Sequence, residues 1–205
     1  IVVGAHLDAV PGSPGANDNG GGVAVMLELI RTLKNTPLNT TVDLCFFDQE
    51  EEGLWGSFFY VQKYEHSFQH VAMLNLDVVG SGEEVYVGPV GGGDDDRIMP
   101  FLRNAANQTR YPFQERAFYP GSDHESFANA RLENISISVV PKGDADKLSR
   151  WANGYKKFEK AGDVPEVLKV MHSADDRSEK MSPRALTRAY VFVKTVLILM
   201  DVNSK

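Results

Sequence analysis

The sequence predicts one α/β domain, a three-layer α/β/α sandwich around a mixed, largely parallel central sheet. Three observations carry that expectation. Strand-like segments alternate with segments of helical period from end to end. No repeat, low-complexity tract or linker divides the 205 residues. The balance of 42% apolar to 24% charged residues is that of a chain able to bury a core. No apolar run approaches the roughly 20 residues that cross a bilayer. Acidic residues number 28 against 21 lysines and arginines, a net charge of −7. The basic footprint of a nucleic-acid binder is therefore missing.

Taken in order, Ile1 to Gly4 reads as a strand whose end delivers His6 and Asp8. The chain enters that strand at once and without Met, so a missing segment ahead of it is expected. After a Gly-, Pro- and Asn-rich loop from Pro11 to Gly22, the positions Val23, Val25, Met26, Leu29, Ile30 and Leu33 recur at helical spacing. Thr41 to Asp48 is a mostly apolar run expected to form a central strand, with Cys45 as a small hydrophobe inside it. A helix from Leu54 to about Phe68 and a strand from Val71 to Val79 follow. Weaker strands are expected at Val85 to Val87 and Phe113 to Phe118, with a helix from about Asp95 to Thr109 between them. Ile135 to Val140 is a stronger strand. Residues 142–169 read as an insertion over one end of the sheet, with a short helix around Trp151 to Lys160. Ser182 and Pro183 open a last helix with an apolar face through Leu186, Ala189, Tyr190, Val193, Val196, Leu197 and Met200.

The chemistry lies where these strands end. His6, Asp18, Glu50, Glu51, Asp77 and His172 each end a strand, follow one or lie in the loop beyond it. In open α/β sheets the ligand crevice lies past the carboxyl ends of the strands, so residues far apart in sequence can converge there. Two imidazoles with three or four carboxylates suit zinc with mixed nitrogen and oxygen ligands, including two ions sharing a bridging carboxylate. Without a cation the same acids would repel one another and their pKa values would rise. Other candidates read as scaffold. His66 and His70 have helical i, i+4 spacing, but Ser67 stands where a zinc-binding helix carries glutamate. Gly20-Gly21-Gly22 lacks a following Gly-Lys-Ser/Thr, and the stretch from Gly91 to Asp96 reads as a solvated loop. Ser122, Asp123 and His124 are adjacent, which does not make a hydrolase triad.

Six motifs give the pattern a family likeness: GAHLDAV from Gly4, GANDNGGG from Gly15, EEEGLWGS from Glu50, LNLDVVG from Leu74, SDHESF from Ser122 and HSADD from His172. In this order, and across nearly the whole chain, the sequence resembles the zinc aminopeptidases of the bacterial leucyl aminopeptidase type. Glutamate carboxypeptidases and glutaminyl cyclases are wider relatives. The resemblance implies two zinc ions, with Asp18 bridging both, His6 and Asp77 completing one set of ligands, and Glu51 and His172 the other. It implies Glu50 as general acid/base, a one-place slip to Glu51 being the alternative alignment. Asp8 should fix the tautomer of His6. Asp123 and His124 should border the substrate site, and the Asp18-Asn19 peptide should be cis. The expected activity is hydrolysis of N-terminal residues from peptides with a free N-terminus. A secreted or periplasmic placement would follow the relatives. In several of them a tyrosine before the last histidine steadies the oxyanion; here that place is Met171. A single-zinc glutaminyl cyclase and a non-catalytic homologue are the competing functions.

Overall fold

A computed structural model of the chain describes residues 1–67, 71–91, 97–154 and 161–202. His70, most of the Gly91 to Asp96 stretch, and the far ends of the helices expected at Leu54 to Phe68 and Trp151 to Lys160 lie outside the described residues.

The first element, β1 (Val2–His6), is flanked on both sides by parallel neighbours, β2 (Asp43–Phe47) and β3 (Ala72–Leu76). Strand β6 (Glu133–Val140) continues the sheet in parallel beside β3. The direction reverses at β4 (Glu84–Gly88), which pairs antiparallel to β6 and parallel to the short β5 (Phe113–Glu115). The six-stranded order is thus β2-β1-β3-β6-β4-β5, a mixed, mostly parallel sheet.

Side chains alternate across the strands and build two apolar layers. On one face Val3, Ala5, Leu74, Leu76, Val85 and Val87 meet three helices, α1 (Gly21–Leu33), α3 (Met99–Thr109) and α6 (Pro183–Val202). On the other, Val2, Phe47 and Met73 pack with Val61 of α2 (Trp55–Tyr64) and Phe127 of α4 (His124–Asn129). The helix α6 starts where the sequence signals it: Ser182 Oγ accepts the Ala185 N–H at 3.3 Å, and Pro183 occupies the first turn.

One expected element takes a different place. The apolar run at Thr41 to Asp48 becomes β2, which pairs only with β1 among the described residues, so it is an edge strand rather than a central one. Its apolar content serves its flanks: Phe47 is buried against Tyr60 and Phe127, while Asp43 is exposed and Cys45 half-buried. The expected insertion also holds its helix earlier than predicted, as α5 (Asp144–Ala152).

Phe192 is fully buried in the larger layer, whereas Phe59 on α2 is 55% exposed. Phe192→Ala should cost about 3–5 kcal/mol in urea unfolding, and Phe59→Ala less than about 1 kcal/mol. Equal losses from the two would contradict this assignment of the core.

Candidate metal centre

Three adjacent parallel strands, β1, β2 and β3, end on the same side of the sheet, and each end carries donors. His6 closes β1 and is 1% exposed. The chain then passes Asp8 and a turn at Gly15, whose φ of +65° suits glycine and where a Cβ would lie 2.5 Å from that of Ala9. An irregular turn over Ala16–Gly20 follows, in which Asp18 and Asn19 leave helical angles and the Asp18-Asn19 peptide is cis. Polar side chains pin this turn. Asn19 Nδ2 donates to the Leu76 carbonyl at 2.7 Å and its Oδ1 accepts from Gly22 N–H at 3.2 Å. Asn17 Oδ1 accepts the Gly80 N–H at 2.7 Å. The Asp18 carboxylate is thereby fixed between β1 and the residues after β3.

Its two oxygens face two different histidines. Asp18 Oδ1 lies 3.1 Å from His6 Nε2, and Oδ2 lies 3.0 Å from Nε2 of His172. Asp77, directly after β3, brings Oδ1 to 3.7 Å from the same His6 nitrogen. Glu51 brings Oε2 to 3.2 Å from His172 Nε2. Two groups of donor atoms, each within 4.8 Å of one another, can be drawn: His6, Glu50 and Asp77, and His6, Asp18 and Glu51. All six strand-end residues singled out in the sequence therefore meet at one rim.

Asp8 does more than face the histidine. Its Oδ1 is 3.3 Å from His6 Nδ1, which also lies 3.1 Å from the Asp8 carbonyl oxygen. The same carboxylate accepts the backbone N–H groups of Glu50 and Glu51, each at 3.1 Å. It therefore ties the β1 terminus to the loop after β2. Gly56 lets α2 start close against that loop, since a Cβ there would meet the Asp48 carbonyl oxygen at 2.4 Å.

The donor set fits a divalent cation better than it fits itself. Glu51 Oε1 and Asp77 Oδ1 are buried with no hydrogen-bond partner among the described residues, and Asp18 Oδ2 has only the His172 imidazole beside it, an arrangement that costs free energy without a counter-charge. The ionisable groups carry the same imbalance. Burial pushes the Glu50 carboxyl up to about 9, with the Asp77 charge adding to it. Burial alone would depress His6, but the facing Asp18 and Asp77 carboxylates outweigh it and push the imidazole up to about 12. Burial likewise opposes ionisation of Asp18, yet His172 and His6 together hold it down to about 2. Among the protein's own groups, charge is balanced by protons on the imidazoles, and a divalent cation would displace those protons.

Beside the donors lies a cavity of about 140 Å³ that Asp18, Glu50, Glu51, Asp77 and His172 share with apolar walls from Val78, Tyr86, Val140, Leu148, Trp151 and Leu168. Two of those walls come from α5. Tyr119 also lines it and had not been singled out in the sequence. Its hydroxyl hydrogen-bonds Ser138 Oγ, which itself donates to the Asp77 carbonyl at 2.6 Å. Only its place three residues before Ser122-Asp123-His124 hinted at a role. Asp123 and His124 are buried and are not among the residues that line it. Burial raises the Asp123 carboxyl to about 6 and lowers His124 to about 4. His124 Nδ1 lies 2.9 Å from Ser136 Oγ, and its ring stands edge-on to Tyr119.

Comparison with known proteins identifies a family and several relatives. The family model described as peptidase family M28 matches residues 1–196. Aminopeptidase YwaD of Bacillus subtilis is 35% identical over 195 residues, covering 88% of this chain and 42% of that protein. The probable lipoprotein aminopeptidase LpqL of Mycobacterium tuberculosis is 42% identical over 173 residues, 74% of this chain and 34% of that one. Among solved structures, BSAP, a zinc aminopeptidase from Bacillus subtilis, aligns at a TM-score of 0.74 and 28% identity, covering 97% of this chain and 45% of that chain. A glutaminyl cyclase of Porphyromonas gingivalis aligns at a TM-score of 0.71 and 20% identity over 97% of this chain and 71% of that chain, a likeness of fold. The chain spans less than half the length of these three aminopeptidases.

Stability should follow the charge imbalance. Glu50 and His6 both bind protons more tightly in the folded state, so folding stability falls as pH rises, for Glu50 from the ordinary carboxylate range to about 9 and for His6 from about 6.5 toward 12. Thermal melting of chelator-treated protein should therefore drop steadily between pH 6 and 9, and saturating zinc should raise and flatten the curve. Curves that coincide with and without zinc would contradict a cation-binding role for these donors.

Proposed function

This chain belongs to peptidase family M28, and from that premise we propose that it is a zinc-dependent aminopeptidase with two metal ions per chain. One observation carries the reading: the two oxygens of Asp18 face different histidines at 3.1 and 3.0 Å, the arrangement a carboxylate shared by two ions requires. His6 and Asp77 would complete one ligand set, and Glu51 and His172 the other. Zinc bound there would supply Lewis acidity toward a peptide carbonyl and lower the pKa of an attacking water.

The protein's own groups do the rest. Glu50 is half-buried beside the donors, with its backbone N–H anchored to Asp8. Its role would be to take the proton that water loses and return it to the departing amine; burial raises its pKa in the metal-free protein, and bound dications would lower it toward the range of a working base. The cluster of carboxylates attracts the α-ammonium of a peptide's first residue, which favours removal of N-terminal residues over internal cleavage. The apolar walls of the cavity suit an apolar first side chain. Met171 has no donor for the developing oxyanion; the Tyr119 hydroxyl, at the cavity wall and donated to Ser138 at rest, is the group available for it. A glutaminyl cyclase reading needs only one ion and leaves the His6–Asp77 pair without a role.

Hydrolysis of an aminoacyl nitroanilide by zinc-loaded protein tests the reading against glutaminyl-peptide cyclisation. Glu50→Gln should lower kcat by about 10²–10⁴-fold while keeping two zinc ions per chain; full activity in that variant would refute the acid/base assignment. Tyr119→Phe should lower kcat by about 10²-fold with little change in KM, and an unchanged kcat would remove Tyr119 from the mechanism.

A further inference from the structure

The segment that carries His172 also reaches back to the turn that carries Asp18. Asp176, four residues after the histidine, is 1% exposed, and its carboxylate accepts two consecutive backbone N–H groups: that of Asn17 on Oδ1 at 2.8 Å and that of Asp18 on Oδ2 at 3.1 Å. Its own carbonyl oxygen accepts a third, from Ala16 N–H at 3.2 Å. Three successive residues of the turn thus hang from one side chain and its backbone. The loop from His172 to Asp176 is braced in turn: Ser173 Oγ donates to the Val170 carbonyl at 2.6 Å and accepts the Asp175 N–H at 3.1 Å, and Asp176 N–H donates to the Ser173 carbonyl at 3.2 Å. The side chain of the neighbouring acid points elsewhere. Asp175 is exposed and pairs with Lys180 at 3.0 Å.

The arrangement repeats what Asp8 does for Glu50 and Glu51, where one carboxylate also accepts two consecutive N–H groups from a segment bearing donors. A carboxylate is suited to the task because both oxygens accept and neither donates. Resting on the two-ion reading above, we propose that Asp176 is a positioning residue for metal binding. It fixes the Asn17–Asp18 backbone so that the two Asp18 oxygens are aimed at His6 and His172 before any ion arrives, and it couples the shared carboxylate to the loop holding one of those histidines. Such outer partners typically set metal affinity by about 10–100-fold.

Replacing Asp176 by Asn keeps the shape but turns one acceptor into an amide NH2 donor facing a backbone N–H. Zinc affinity, measured by chelator competition on metal-free protein, should fall about 10–100-fold in Asp176→Asn and remain at the wild-type value in Asp175→Asn. In the metal-free wild type, amide hydrogen exchange at Asn17 and Asp18 should be slow, and in Asp176→Asn it should become fast. Wild-type zinc affinity in Asp176→Asn overturns the proposal even if its melting temperature drops, because that would be a structural role alone. If the variant does not fold, wild-type exchange decides: unprotected Asn17 and Asp18 amides overturn the proposal, and protected ones support it. A wild type that takes up no zinc refutes the two-ion reading instead, so the two failures are distinguishable.

Discussion

Carboxylates crowded at the ends of three parallel strands are the constraint around which the rest of the molecule is organised. Asp18, Glu50, Glu51 and Asp77 approach the two imidazoles closely enough that their charges cannot coexist without a counter-charge, and Glu51 Oε1 and Asp77 Oδ1 are buried without a hydrogen-bond partner among the described residues. A layout this costly persists only if the scaffold enforces it. The enforcing elements are the large apolar layer under β1, β3 and β6 and the polar side chains that pin each donor loop to its neighbour.

That pinning follows one principle at several places. Short loops at the sheet's rim have backbone groups that no strand partner satisfies, and side chains supply the partners. Asn17 and Asn19 lock the Asp18 turn onto the residues after β3, while Asp8 and Asp176 each collect two adjacent N–H groups from a segment bearing donors. The donor loops are therefore held through their own main chain as well as by contacts among the donors. Preorganisation of this kind is what separates a metal centre from a chance acidic patch.

Much of this was legible in the sequence, for identifiable reasons. Strands buried on both faces read as apolar runs, so β1, β3 and β6 could be located, and the donors announced themselves by following them. Convergence of His6, Asp18, Glu51, Asp77 and His172 needed only the parallel topology. The edge position of β2 was not legible, because Phe47 and Cys45 are apolar for the sake of α2 and α4, and a run of such residues looks the same in a central strand. Tyr119 and Asp176 were missed for a different reason: one is a single aromatic in an irregular stretch, the other an acid beside another acid. Which of Asp175 and Asp176 turns inward depends on a loop conformation that carries no periodic signal. Asp123 and His124 sat in a recognisable motif, yet their burial away from the cavity lining could not be read from it.

The most direct measurement is anomalous scattering at the zinc edge from crystals of zinc-loaded protein. Two peaks on either side of the Asp18 carboxylate, one beside His6 and Asp77 and the other beside Glu51 and His172, are the expected result. A single peak, or metal bound away from Asp18, would contradict the shared-carboxylate centre.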